Sequence, residues 1–171
     1  MSPSATLEAI DAAAATLGMR FIPLPGARLS LFGPRLTGPS FNLVVVPDED
    51  GAAVTFRVRP VVAHPLSARP ILTEVIDGWH ATRRWPRVRI SEIHETDDPL
   101  LLVEGDVHLL GVASMTVEGL ADALDQVVAS AREFWDTCPV LTTGPDEIGA
   151  RIADDLEQML RLVDDRRLDR L

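Results

Sequence analysis

The sequence predicts an α+β fold in which helices interrupt antiparallel hairpins. Two pairs of alternating apolar and polar runs carry that reading. Residues 41–46 (FNLVVV) and 52–62 (AAVTFRVRPVV) flank the turn-forming PDEDG, and residues 85–94 and 100–110 flank DDP. Runs with helical spacing stand before, between and after these pairs rather than alternating with single strands, which argues against a doubly wound sheet. At 171 residues, 46% hydrophobic and 25% charged, the chain has the composition of one ordinary domain with a core of its own.

Each element has a local reason. In residues 4–17 Leu7, Ile10, Ala14 and Leu17 recur at helical spacing, with Ser4 or Thr6 to cap the start and Gly18 to end it. A segment rich in proline and glycine follows, and inside it ARLSLF (27–32) predicts a short edge strand. In the strand over 52–62, Val54, Phe56 and Val58 point one way and Thr55, Arg57 and Arg59 the other. Residues 68–82 predict a helix with the stripe Ile71, Leu72, Val75, Ile76 and Trp79, capped by Ser67, with Pro70 tolerated in its first turn. Trp85-Pro86 breaks it, and the strand over 85–94 begins. In the strand over 100–110, Leu101, Val103, Val107 and Leu109 share one face, and Glu104, Asp106 and His108 the other. Thr116 caps a helix over 117–136, with Glu118 near its positive end. After a linker from residue 138, residues 146–165 predict a fourth, amphipathic helix. The expected division is a domain over 1–137 and an appendage over 138–171.

Charge is unevenly spread. The net charge is −10, yet residues 57–94 hold seven arginines against three acids, and residues 95–136 one arginine against ten. All 16 basic residues are arginine, as a high-GC, actinobacterial genome would give. The acidic balance opposes binding to a nucleic-acid backbone. No apolar run approaches the ~20 residues of a membrane helix. The start of the chain lacks a secretory pattern, and a single cysteine, Cys138, allows no internal disulfide. These features lead to a cytoplasmic expectation.

No catalytic pattern emerges. The chain has no phosphate-binding glycine loop and no nucleophile elbow. Cys138 has no partner thiol. The four histidines, His64, His80, His94 and His108, form no HxH or HxxxH pair; only His108 with Asp106 and Glu104 could form a patch of ligands, fewer supports than a metal site requires. The expectation is therefore no catalytic residue, no metal and no cofactor. The arginines Arg57, Arg59, Arg87 and Arg89 have two readings. They can pair across strands with Glu104 and Asp106, at roughly 0.2–1 kcal/mol each, or they can form a stripe that receives an acidic extended peptide.

Residues 75–89, VIDGWHATRRWPRVR, resemble the signature of YbjN-type domains, in which a helix ends in Trp-Asn and a basic run leads to Trp-Pro and a strand. Trp79, Arg83, Arg84, Trp85 and Pro86 match; His80 stands where that family usually has Asn. The resemblance spans roughly residues 40–136. It implies a fold like the type III secretion chaperones, an antiparallel sheet of four to five strands with helices packed on one side. It also implies a homodimer that binds a peptide or protein partner without catalysis. Trp79, Trp85 and Pro86 are then the structural joint, and Arg57, Arg59, Arg87 and Arg89 the candidate partner-binding residues. A regulatory subunit of a stable complex and an enzyme of unrecognised type are the other readings.

Overall fold

A computed structural model describes residues 2–32, 40–60, 62–94 and 99–138. In chain order the elements are α1 (Pro3–Thr16), β1 (Ile22–Leu24), β2 (Ala27–Phe32), β3 (Phe41–Pro47), β4 (Ala53–Pro60), β5 (His64–Pro65), α2 (Arg69–Thr82), β6 (Arg87–Ile93), β7 (Leu100–Leu110) and α3 (Val117–Thr137). Short 3-10 turns precede α2 and α3. The fold class is the expected α+β, with seven strands in one antiparallel sheet rather than four or five. The added strands are β1 and β5, three and two residues long and rich in proline, too short to show a period of two. The helix expected over 146–165 lies outside the described residues.

Two caps differ from expectation. Ser2, not Ser4 or Thr6, caps α1, its hydroxyl accepting from the Ala5 N–H. Ser67 lies inside the 3-10 turn that leads into α2, so α2 has no side-chain cap. Thr116 caps α3 as expected, accepting from the Gly119 N–H.

Strand β7 organises the sheet. Residues 100–106 pair with β6 along one edge. Along the other edge, residues 105–110 pair with β4 and residues 100–101 with β5. Strands β3, β2 and β1 continue outward from β4. The face toward the helices carries Phe41, Leu43 and Val45 of β3, Val54, Phe56 and Val58 of β4, and Leu101, Val103 and Val107 of β7, all buried. Helices α1 and α3 pack on each other, and Ile10, Leu124, Val128, Phe134 and Trp135 join the same core. Burial of each large apolar side chain stabilises by about 1.5–3 kcal/mol. Two polar ties fix α1: Arg28 of β2 pairs with Asp11 at 2.9 Å, and the buried Thr6 hydroxyl donates to the Gly51 carbonyl in the β3–β4 turn at 2.9 Å.

The tryptophan-flanked arginine run is a joint between α2 and β6. Trp79 is buried, edge-on to Phe134, and its indole N–H donates to the Pro86 carbonyl at 3.1 Å. The Trp85-Pro86 bond is cis, and Trp85 packs against the core while half-buried. Pro86 lies on β7 at Gly105: a Cβ there would stand 3.0 Å from the Pro86 Cβ and 3.2 Å from its Cγ. Gly105 thus makes room for the proline. Gly105→Ala should destabilise the fold by about 1–3 kcal/mol through overpacking at the joint, read as a lower urea midpoint with an unchanged slope. A variant as stable as the parent would show that Pro86 does not rely on this glycine.

Candidate functional site: the arginine-bearing face of the sheet

The sheet face away from the helices is built around two buried carboxylates. Strand β7 places Glu104 and Asp106 on that face, at 5% and 8% exposure. A charge this sheltered needs compensation, and the neighbouring strands supply it from both sides. From β4, Arg57 Nε lies 3.2 Å from Asp106 and Arg59 Nε lies 2.6 Å from Glu104. From β6, Arg89 forks between Asp106 and Glu104, and the Ser91 hydroxyl donates to Glu104 at 2.7 Å. The registers place Arg57 and Arg87 opposite Asp106 on its two sides, and Arg89 opposite Glu104.

The four candidate arginines therefore converge on one surface but are not equivalent. Arg57, Arg59 and Arg89 are ion-paired and partly exposed. Arg87 is exposed and has no ion-pair partner among the described residues. Four cations over two carboxylates leave this face with two surplus positive charges on a chain whose net charge is −10. Toward β2 and β3 the same face carries Asn42 between Arg59 and Leu31, then the apolar Leu31, Val44 and Val46, with Leu29 buried.

The electrostatics follow the geometry. Burial alone would raise the Asp106 carboxyl, but hydrogen bonds from Arg89 and Arg57, with their charge, outweigh it and hold the group below the usual carboxylate range. The bond to Asp106 likewise raises Arg89. His108, a candidate ligand in the sequence, shares a hydrogen bond with Thr55 at 3.0 Å. The carboxylates that could have joined His108 at a metal are taken by arginine, and among the described residues no three of His, Cys, Asp and Glu converge. Burial pushes the Cys138 thiol up to about 11, far from a nucleophile's range.

At the β6 end of this face the joint forms an open concavity lined by His80, Thr82, Arg83, Arg84, Trp85 and Arg87. Arg83 is paired with Glu133 of α3 and lies over the Trp79 ring at 5.9 Å. Arg84 is exposed, with no ion pair among the described residues. The position where His80 replaces the expected Asn still makes a hydrogen bond: its Nε2 accepts from the Val88 N–H at 3.0 Å. Sequence reasoning missed that bond and missed Gly105, although a glycine inside an apolar strand signals a close approach.

The comparisons with known proteins bear on the fold. No protein-family profile matches the chain, and no curated protein matches it in sequence. Among solved structures it is similar to YbjN from E. coli, for which a role in transcription regulation has been suggested. The TM-score is 0.51 at 16% identity, over 75% of this chain and 87% of that one. The fold is of the YbjN type. The resemblance carried by Trp79, Trp85 and Pro86 and the match to YbjN thus agree on architecture, and at this identity the agreement concerns the fold alone. No helix among the described residues is long and apolar enough to cross a membrane.

Because the Asp106 pKa is lowered in the folded state, the stability it contributes is complete above about pH 4 and is lost as pH falls through the folded value. Asp106→Asn should therefore cost about 1.5–3 kcal/mol at neutral pH, the worth of a hydrogen bond to a charged group, leaving the partly exposed Arg57 and Arg89 facing an amide. The gap to the parent should shrink toward pH 3 in urea titrations; a gap that is constant with pH would show that the carboxylate charge is not what matters. For Cys138, alkylation by iodoacetamide at about pH 8 should be slow in the folded chain and fast in denaturant. Fast labelling of the folded chain would mean an exposed, activated thiol.

Proposed function

We propose that this chain is a non-enzymatic, chaperone-like module that binds a peptide or protein partner on the arginine-bearing sheet face, acting as a homodimer in the cytoplasm. The observation that carries the reading is the surplus positive charge beside an apolar strip, set on a rigid sheet within an acidic chain. An acidic, partly apolar segment complements such a surface, and its charges would also set the rate of encounter. The non-enzymatic reading is favoured by the arginine pairs that take up the buried carboxylates and by the burial that raises the Cys138 thiol.

The arginines divide by role. Arg87, with Arg84 at the adjacent joint, is free to meet a partner. Arg57, Arg59 and Arg89 serve partner and fold together, since reversing them would strand Glu104 and Asp106. A subunit that regulates through one permanent complex is the second reading, favoured by the suggested role of YbjN; it would hold its partner at fixed stoichiometry through purification.

The test uses a labelled peptide alternating Glu and Val, and the same peptide with Lys in place of Glu, titrated with the full chain by fluorescence anisotropy. The Glu peptide should bind, more weakly as salt rises, and the Lys peptide should not. The double variant Arg84→Glu, Arg87→Glu should weaken binding by about three- to tenfold with unchanged circular dichroism. Equal binding of both peptides, or indifference to the double reversal, would sink the reading.

A further inference from the structure

We propose that the open edge of β6 is the docking line for the partner, an extended acidic segment that adds to the sheet as one more strand; this rests on the reading of the basic face given above. The argument begins with hydrogen-bond parity. In an antiparallel pair, alternate residues turn their N–H groups toward the neighbour and away from it. The Val88 N–H is held by His80, a residue of α2, so Val88 turns away from β7. By the same alternation the Ile90 and Glu92 N–H groups also turn away, and the described residues give β6 no strand partner other than β7.

His80 therefore stands where the carbonyl of a neighbouring strand would stand. It closes the first donor of the edge and leaves the next two. Helix α2 runs alongside, antiparallel to β6, because Arg69 at its start pairs with Glu92 near the end of β6 and His80 near its end meets Val88 at the beginning. Where donors of a sheet edge stay open, an extended segment can add as a strand, with backbone bonds supplying affinity and alternate side chains specificity.

Charge selects the occupant. Arg84 and Arg87, which have no ion-pair partner among the described residues, stand at the head of this edge, and Arg89 projects from it at 46% side-chain exposure. A segment lying along Ile90–Ile93 with a carboxylate side chain at its head end would place that carboxylate at the Arg84–Arg87 concavity. The other strands with an open side, β1 with Pro23 at the centre of its three residues and the two-residue β5 with Pro65, are poorly suited to the same role.

The experiment uses the full chain and the Glu–Val peptide in three forms: unmodified, N-methylated on its odd residues, and N-methylated on its even residues. Strand addition predicts that one methylated set abolishes binding while the other binds like the parent. It also predicts that the Ile90 and Glu92 amides slow in hydrogen exchange when peptide is added. Glu92→Pro removes the second of the two unoccupied outward donors without removing a bond to β7; it should weaken binding by about five- to tenfold, whereas Glu92→Gln, which loses only the side-chain ion pairs with Arg69 and His94, should not. If the peptide binds but both methylated sets are tolerated and neither amide slows, strand addition is wrong and the basic-face reading survives. If no peptide binds, both fail. Amides already slow in the chain alone would overturn the proposal too: slowing that grows with protein concentration would assign the edge to a second copy, and slowing independent of it to the chain itself.

Discussion

Two carboxylates on β7 need three arginines, and its neighbours β4 and β6 supply them from either side. Glu104 and Asp106 are nearly inaccessible to water, and a sheltered carboxylate without a partner costs several kcal/mol. Arg57 and Arg59 arrive on β4 and Arg89 on β6, so the pairing demands that these two strands flank β7 in one register. A slip of one residue by either strand would send its arginines into the apolar core and its valines to the other face. The charge cluster thus specifies register, while the apolar face beneath supplies most of the stability.

The joint between α2 and β6 solves a different problem. The chain must turn from a helix on one face of the sheet into the edge strand of that sheet within four residues. Trp79 fills the space under the turn and binds its carbonyl, Pro86 settles on Gly105, and His80 holds the new strand by its first free N–H. The aromatic and basic run that stands out in an acidic chain is thereby divided in its duties: the tryptophans and Pro86 shape the crossing, Arg83 ties it to α3, and Arg84 and Arg87 are left over.

Much of this was legible in the amino-acid order. The long elements, their faces and the β6–β7 charge pairing follow from alternation and helical spacing, because each buries one face of a regular repeat; the place of β4 beside β7 joins distant residues and carries no local signal. The short strands β1 and β5 were not legible, since two or three residues around a proline carry no repeat and pair only because longer neighbours present an edge. The Ser2 cap and the uncapped start of α2 depended on where the first turn closes, which sequence fixes only to within a residue or two. Of the site, sequence marked the arginines but could not rank them, because the distinction between Arg87 and its three companions lies in which of them reaches a carboxylate. The His80 bond was hidden because it joins a side chain to backbone eight residues on, without a pattern of residue types.

His80 also has a bearing on solubility. An open sheet exposes its rim to every copy of itself in a crowded solution, and long bare rims seed fibrous stacking. Here one rim is a three-residue strand interrupted by proline, and the other begins with a donor already occupied by an imidazole. What is left on β6 is two donors long. That is enough to recognise a short visitor, and too little to start an endless ladder.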